Sequence, residues 1–263
     1  MAELHWNIRK KKRMTVNEIK KELQEASGPK LEEMLAFCRR DARSSVRALA
    51  DQYEKKQERL RLELERLEKM KQYEYRYEKE GYVCGIDEAG RGPLAGPVVA
   101  SAVILPKDCR ILYINDSKKL SSSKREELYE VIMREAVSVG VGCISPARID
   151  EINILQATYE AMREAVSQLS VKPQVLLNDA VTIPGIDTFQ VPIIKGDAKS
   201  VSIAAASIIA KVTRDRLMTE YDRILPQYGF ASHKGYGSAA HIEALKEYGP
   251  SPIHRKSFIT HFV

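Results

Sequence analysis

At Gly81 the hydrophobic rhythm of this 263-residue chain changes, which excludes a uniform bundle and a uniform sheet alike. Before that point apolar residues recur three and four positions apart in a heavily charged background. Leu31, Leu35 and Cys38 begin the series, Val46, Leu49 and Tyr53 follow, and Leu60, Leu64 and Leu67 continue it. Thr15 with Glu18 fits an N-terminal capping box, and Ser27-Gly28-Pro29 separates the first helix from the next. The pattern is too short and irregular for a coiled coil, which needs three or four sustained heptads. Tyr73, Tyr75 and Tyr77 close it. Residues 1–80 are therefore expected to be a helical extension, and residues 81–263 a separate domain.

After Gly81 come short apolar runs of strand length. Residues 83–86 and 98–105 read as two strands around a Gly/Pro-rich turn, and residues 137–144, 175–177 and 189–194 as three more. Between them the spacing predicts four helices. One is opened by Ser123 with Glu126 and runs to about residue 135. Another is capped by Asp150 and carries Ile152, Leu155, Tyr159, Met162, Val166 and Leu169 on one face. A helix of small residues spans about 202–217, and a last one 239–248. Consecutive strands followed by alternating helices and strands imply an α/β fold: a mixed five-stranded sheet flanked by helices. No internal repeat is present.

Charge distribution points to the partner. The formal net charge is +6, and residues 1–80 hold 21 of the 42 Lys and Arg against 16 of the 36 Asp and Glu. The basic surplus thus sits in the N-terminal third, where it suits an anionic partner such as nucleic acid, or else a well-solvated helix surface. No stretch approaches the roughly 20 apolar residues of a membrane span. The basic run at residues 9–13 has no apolar core after it, so no secretory signal is evident. Met14 is a second start-like methionine, which leaves the standing of residues 1–13 open. Cys38, Cys84, Cys109 and Cys143 lie far apart without a CxxC pair, which favours reduced thiols and a cytoplasmic location.

The densest chemical signal is Asp87-Glu88-Ala89-Gly90-Arg91-Gly92-Pro93. Two adjacent carboxylates stand at the end of an apolar strand, at an exposed rim where hard divalent cations find oxygen ligands. Neighbouring strand residues face opposite ways, so both acids serve one site only if the backbone leaves the pleat, which the glycines permit. Asp-Glu before a glycine turn is also ordinary turn chemistry. Asp179 follows the apolar run 175–177, and Asp197 follows Ile193-Ile194-Lys195-Gly196. The ends of parallel strands share one edge of a sheet, where ligands bind. Each acid alone reads as a cap or turn residue; three strand-end acids with Glu88 favour a metal cluster. Asp215, between Arg214 and Arg216, reads as an ion-pair partner, and the five histidines lack zinc-like spacing. Gly90–Gly92 has neither the spacing nor the lysine of a phosphate loop.

The segment from Asp87 to Pro97 resembles the opening motif of ribonuclease HII. Asn115-Asp116-Ser117-Lys118-Lys119-Leu120 is similar to a second block of that family. Lys195-Gly196-Asp197-Ala198 with Ala205-Ala206-Ser207-Ile208-Ile209-Ala210-Lys211 is similar to a third, and His233-Lys234-Gly235-Tyr236-Gly237 to a fourth. Pro252-Ile253-His254-Arg255-Lys256-Ser257-Phe258 resembles the last, and the order is the family's; the likeness covers about residues 81–258. Asn178 departs from it, standing where an apolar residue is expected ahead of Asp179.

The resemblance implies a ribonuclease H-like fold and the following roles. Asp87, Glu88, Asp179 and Asp197 would bind Mg²⁺ or Mn²⁺, in a two-metal hydrolysis in which one ion positions the attacking hydroxide and the other stabilises the leaving oxygen. Gly90, Arg91 and Gly92 would read the ribose 2′-hydroxyl, Tyr236 would stack on the sugar of the following deoxynucleotide, and Ser117, Lys118, Lys195 and Lys234 would contact phosphates. The substrate would be an RNA–DNA hybrid or duplex DNA containing ribonucleotides, cut on the 5′ side of the ribonucleotide to leave 5′-phosphate and 3′-hydroxyl ends. The roles implied are ribonucleotide removal and RNA primer degradation, by a monomer acting away from membranes. Two alternatives stand beside this. The sister family, ribonuclease HIII, typically carries lysine where this chain has Arg91; a non-enzymatic nucleic-acid adaptor would have lost one of the four acids.

Overall fold

The computed structural model describes residues 14–262, so the basic run at 9–13 lies outside the described residues. The chain divides into two compact units between Glu65 and Arg66. In the first, α1 (Val16–Glu25) and α2 (Gly28–Arg40) precede α3 (Ser44–Met70), the helix within which the division falls. The Thr15–Glu18 capping box forms as expected. Ile19, Leu23, Met34, Cys38, Val46 and Ala50 make a small core of their own. The compact units thus part about fifteen residues earlier than the change of hydrophobic rhythm. Leu67 and Met70, from the end of α3, belong to the core of the second unit, and α4 (Gln72–Tyr77) follows them.

The second unit is built on a sheet of order β3-β2-β1-β4-β5: β1 (Val83–Ala89), β2 (Val98–Ile104), β3 (Ser138–Ile144), β4 (Val175–Asp179) and β5 (Phe189–Ile193). β1 pairs antiparallel with β2 but parallel with β4, and β4 parallel with β5, so the carboxyl ends of β1, β4 and β5 meet at one edge. Helix α5 (Ser122–Glu135) is capped by Ser121, not by Ser123. Helix α6 (Pro146–Ser167) begins at the Ser145 cap, ahead of the expected Asp150, and kinks at Asn153 (φ 66°). Asp150 instead accepts hydrogen bonds from the backbone N–H groups of Lys256 and Ser257 at 2.8 and 2.9 Å. The small-residue helix α7 runs from Val201 to Ile224, seven residues further than its composition suggests, because Val212 and Met218 keep its later turns buried.

Helix α6 covers one face of the sheet, packing on Ile86, Ala100 and Ala102. Helix α7 covers the other, with Ala204, Ala205 and Ile208 against Val103. Both lie unusually close to the strands. A Cβ on Gly85 would stand 2.0 Å from the Ser202 carbonyl carbon, and one on Gly142 would stand 2.0 Å from the Ala161 carbonyl oxygen. Glycine in the strands and Ala or Ser on the helices are what allow that approach. The short helices α8 (Phe230–His233), α9 (Ala239–Tyr248) and α10 (Lys256–Ile259) complete the unit. Among the described residues no helix is long and apolar enough to cross a membrane.

Candidate active site

The pleat of β1 decides how its two acids are presented. Cys84 and Ile86 point into the core beneath α6, so Asp87 turns towards α7, where Ser207 hydrogen-bonds it. Pairing with β2 continues unbroken through Asp87, Glu88 and Ala89. The backbone therefore does not leave the pleat between the acids; Gly90 (φ 94°) turns it only afterwards. Pairing with β4 ends at Ile86 and Asn178, so Asp87 and Asp179 extend side by side just past it. Asp197 is carried on a single turn, Gly196–Ala198, between β5 and α7. The Gly196 N–H donates to Asp179 Oδ1 at 2.7 Å and ties that turn to β4.

These placements bring all four sequence-predicted acids into electrostatic contact, with Asp179 common to the other three. Asp87 is 6% exposed and its pKa is raised well above the ordinary carboxylate value, by burial first and then by the charges of Glu88 and Asp179. Burial also raises Glu88, with Asp179 adding to the shift while Arg91 and Lys118 oppose it. Asp197 is raised by burial and then by Asp116 and Asp179. Among the described residues no three acid, histidine or cysteine side chains converge to coordinating distance. Like charges repel until neutralised, and each of three acids leans on a partner of its own. Asp87 Oδ1 accepts from the Glu88 N–H at 2.8 Å, Asp179 from Gly196, and Glu88 from Arg91 Nη1 at 3.5 Å. The donor set nonetheless suits a hard divalent cation: carboxylate oxygens only, at a sheet edge.

The remaining expected residues fall into two groups. Ser117 and Lys118 stand at the acids: Ser117 Oγ is hydrogen-bonded with Ser207 Oγ at 2.9 Å, and Lys118 acts electrostatically on both Glu88 and Asp197. Lys195 is exposed with left-handed backbone (φ 57°), beside Asp197 in the chain. Lys234 is partly committed, its Nζ donating to Thr219 Oγ1 at 2.9 Å and the Ala231 carbonyl at 2.7 Å. Tyr236 is 46% exposed, and its ring lies over the Lys211 ammonium and the Arg214 guanidinium. Asp215 pairs with Lys211 at 2.8 Å, as an ordinary ion pair and not through Arg214 or Arg216.

Three residues escaped the sequence reading. Asp116 faces Asp197 and caps the turn that carries Ser117 and Lys118, accepting from the Lys118 N–H at 2.9 Å. Arg214 and Arg255 are fully buried and spend their donors on backbone carbonyls. Arg214 holds Ala95, Pro97 and Lys234, and Arg255 holds Gly90, Arg91 and Gly96. They set the loop containing Gly90–Gly92 against the loop containing Tyr236. No spacing rule marks them. A lone arginine in a helix or terminal segment reads as surface until its partners are known.

The family model for ribonuclease HII matches residues 84–261. The chain belongs to the ribonuclease HII family. The family's N-terminal domain matches residues 15–78. The ribonuclease HII of Lachnoclostridium phytofermentans is 67% identical over 219 residues, covering 83% of this chain and 86% of that protein. That of Bacillus subtilis is 52% identical, covering 93% and 96%. Among solved structures, the ribonuclease H2 from Pyrococcus horikoshii is 31% identical with a TM-score of 0.57, covering 67% of this chain and 93% of that one. The mixed five-stranded sheet is thus the ribonuclease H-like fold, and the chain is a hydrolase of the ribonuclease H type, an endonuclease whose substrate is nucleic acid. With that membership the alternative assignment to the sister family falls away; a ribonuclease HIII structure shares the fold at 20% identity. A non-enzymatic adaptor is likewise set aside.

Proposed function

We propose that Asp87, Glu88, Asp179 and Asp197 bind Mg²⁺ or Mn²⁺ and that this ribonuclease HII cuts on the 5′ side of ribonucleotides, embedded in duplex DNA or paired with it. The carrying observation is that Asp179 lies within electrostatic reach of the three other acids at the carboxyl ends of parallel strands. When bound, divalent cations supply Lewis-acid polarisation of the phosphate and offset charge on the leaving oxygen, so that 5′-phosphate and 3′-hydroxyl ends result. The protein's own residues then do the rest. Ser207 and the Glu88 N–H orient the Asp87 carboxylate, and Gly196 orients Asp179. Lys118 and Arg91 place positive charge beside the acids, where a phosphate backbone would run.

Gly92 offers open space where a side chain would stand, since a Cβ there would meet nothing within 4 Å. That opening supports close backbone approach to a ribose 2′-hydroxyl, while the exposed Tyr236 ring is free to stack on the next sugar. Lys195 and Ser117 complete the proposed phosphate contacts, with Lys234 offering its one remaining ammonium proton. Every group in the proposed site comes from a single chain, so a monomer suffices. The basic N-terminal extension is assigned to substrate affinity, and the work to ribonucleotide and primer removal. Asp87→Asn tests the core of the reading. It should abolish Mg²⁺- or Mn²⁺-dependent cleavage of a duplex with one ribonucleotide, by at least about a thousandfold, while binding of that duplex stays within a few fold. Full turnover by the variant would remove Asp87 from the chemistry.

A further inference from the structure

Three histidines lie behind Tyr236, in none of the roles assigned so far. His233 and His241 stack with ring centroids 4.4 Å apart, and His254 tilts against His241 at 5.1 Å. His241 and His254 are buried, at 0% and 3% exposure. Leu or Phe would fill that volume without needing hydrogen bonds, and a buried imidazole is tolerated only where both nitrogens find partners. Here all six do.

The proton positions follow from the two ends of the chain of contacts. At one end the Ser251 backbone N–H, which can only donate, points at His254 Nδ1 from 2.9 Å, with Ser251 Oγ at 2.7 Å from the same nitrogen. His254 Nδ1 is therefore a bare lone pair, and its proton sits on Nε2. That Nε2 is 3.0 Å from His241 Nε2, which must accept, so the His241 proton sits on Nδ1. At the other end, 2.8 Å from His241 Nδ1, is the Tyr236 carbonyl, which can only accept. Two fixed backbone termini with one proton per ring between them leave a single assignment, running one way from Ser251 to Tyr236, with both rings neutral. His233 is fixed by the same logic. Its Nδ1 accepts from the Gly235 N–H at 3.2 Å, and its Nε2 donates to the Tyr228 carbonyl at 2.8 Å.

The segment at the start of this relay also controls the other side of the proposed substrate surface. Arg255, next to His254, donates to the carbonyls of Gly90, Arg91 and Gly96 at 2.5, 2.8 and 3.0 Å. Its own N–H donates to the Leu94 carbonyl at 2.8 Å, and the Ile253 carbonyl accepts from the Gly96 N–H at 2.8 Å. Residues 251–255 thus grip the Gly90–Gly92 loop with the Arg255 side chain and reach the backbone of Tyr236 through His254 and then His241.

We propose that Ser251, His254 and His241 are positioning residues that hold Tyr236 at a set distance from the Gly90–Gly92 loop, and thereby set the preference of the enzyme for an RNA–DNA junction. This rests on the reading of Tyr236 as the residue that stacks on the deoxyribose. A relay of neutral rings is stiffer than one flexible side chain, because tilting either ring breaks two hydrogen bonds at once. The ring of Tyr236 stays free while its backbone does not.

The test compares two substitutions at His241 that part the relay at different points. Asparagine places an amide N–H where Nδ1–H was and keeps the side-chain bond to the Tyr236 carbonyl; glutamine reaches the Nε2 position and leaves that carbonyl with the Ser238 N–H alone, at 2.8 Å. The readout is the ratio of kcat/KM on a duplex with one ribonucleotide to that on a fully ribonucleotide strand paired with DNA, in Mg²⁺. His241→Gln should lower the ratio by roughly tenfold, the worth of one buried hydrogen bond, and His241→Asn, which keeps that bond but parts it from His254 and Ser251, should lower it by a smaller factor, about threefold. Equal ratios in both variants and the unaltered enzyme would overturn the proposal.

Tyr236→Ala separates the two readings. If it lowers the ratio while His241→Gln does not, the relay is wrong and Tyr236 stands; if it leaves the ratio untouched, the role of Tyr236 fails and takes the relay's functional consequence with it. Histidine ¹⁵N spectra of the unaltered full chain at pH 7 decide the structural half without any variant. The relay requires neutral rings, protonated on Nε2 in His254 and on Nδ1 in His241. A reversed tautomer or an imidazolium at either position would overturn it.

Discussion

A buried side chain is worth most where it satisfies backbone that has no other partner. Arg255 illustrates this: burial and the nearby Arg214 charge push its pKa down to about 9, yet its guanidinium serves three backbone carbonyls, those of Gly90, Arg91 and Gly96. Arg255→Lys should lose about 3 kcal/mol in urea unfolding, because one ammonium cannot span three acceptors arranged for a planar fork. Gly90 is constrained in the same place. Its φ of 94° and the position its Cβ would take, 2.1 Å from Arg214 Nε and 2.8 Å from the Pro97 carbonyl, both exclude a side chain. His254 makes the pH dependence. Burial and the neighbouring His241 push its pKa down to about 4 from 6.5. The unfolded chain therefore takes up a proton that the folded one refuses. The stability this histidine contributes is complete above pH 6.5 and is lost as pH falls towards 4. The stability gap between the unaltered protein and His254→Asn should narrow by about 2 kcal/mol between pH 7 and pH 5, read by urea unfolding. A gap constant with pH would mean that His254 titrates normally.

At the scale of elements, close packing of helices on the sheet is what places the acids. α7 starts directly over Gly85, and its second turn brings Ser207 to Asp87 and Ser117. Ser101 in β2 donates to the Ala206 carbonyl at 2.9 Å and fixes the same helix to the next strand. On the opposite face α6 approaches β3 so closely that Gly142 leaves no room for a methyl group: a Cβ would meet backbone at 2.0 Å and 2.8 Å. Backbone cannot rotate away as a side-chain tip can. Gly142→Ala should therefore cost about 3 kcal/mol and lower Tm by several degrees in calorimetry. Since β3 lies two strands from β1, cleavage measured well below Tm should stay within about threefold.

For the whole molecule, the division at Glu65 sets where the extension can be removed. Deleting residues 1–65 should raise KM on a ribonucleotide-containing duplex at moderate salt, with kcat nearly unchanged, since the basic surplus goes while the core of the second unit stays. Unchanged KM would refute a role in affinity. Deleting residues 1–80 instead takes away Leu67 and Met70 from that core, together with Glu74, whose Oε1 accepts from Ser202 N–H at 3.0 Å. That longer deletion should unfold at markedly lower temperature.

Much of this was open to reading in the chain itself. Runs of β-branched residues marked five strands, and acids just beyond three of them marked an edge, because hydrophobic period and turn chemistry are local properties. Local rules failed where a side chain serves a distant partner. Ser121 displaced Ser123 as a cap, Asp150 went to the backbone of residues 256 and 257 and not to its own helix, and Asp116 reached Asp197 across the site. The same holds for Arg214, Arg255 and the three histidines, which look like scattered polar residues in one dimension. Identity and order of the motifs reside in covalent sequence; which buried donor meets which orphaned carbonyl is decided only when segments some 160 residues apart, such as Gly96 and Arg255, are folded together.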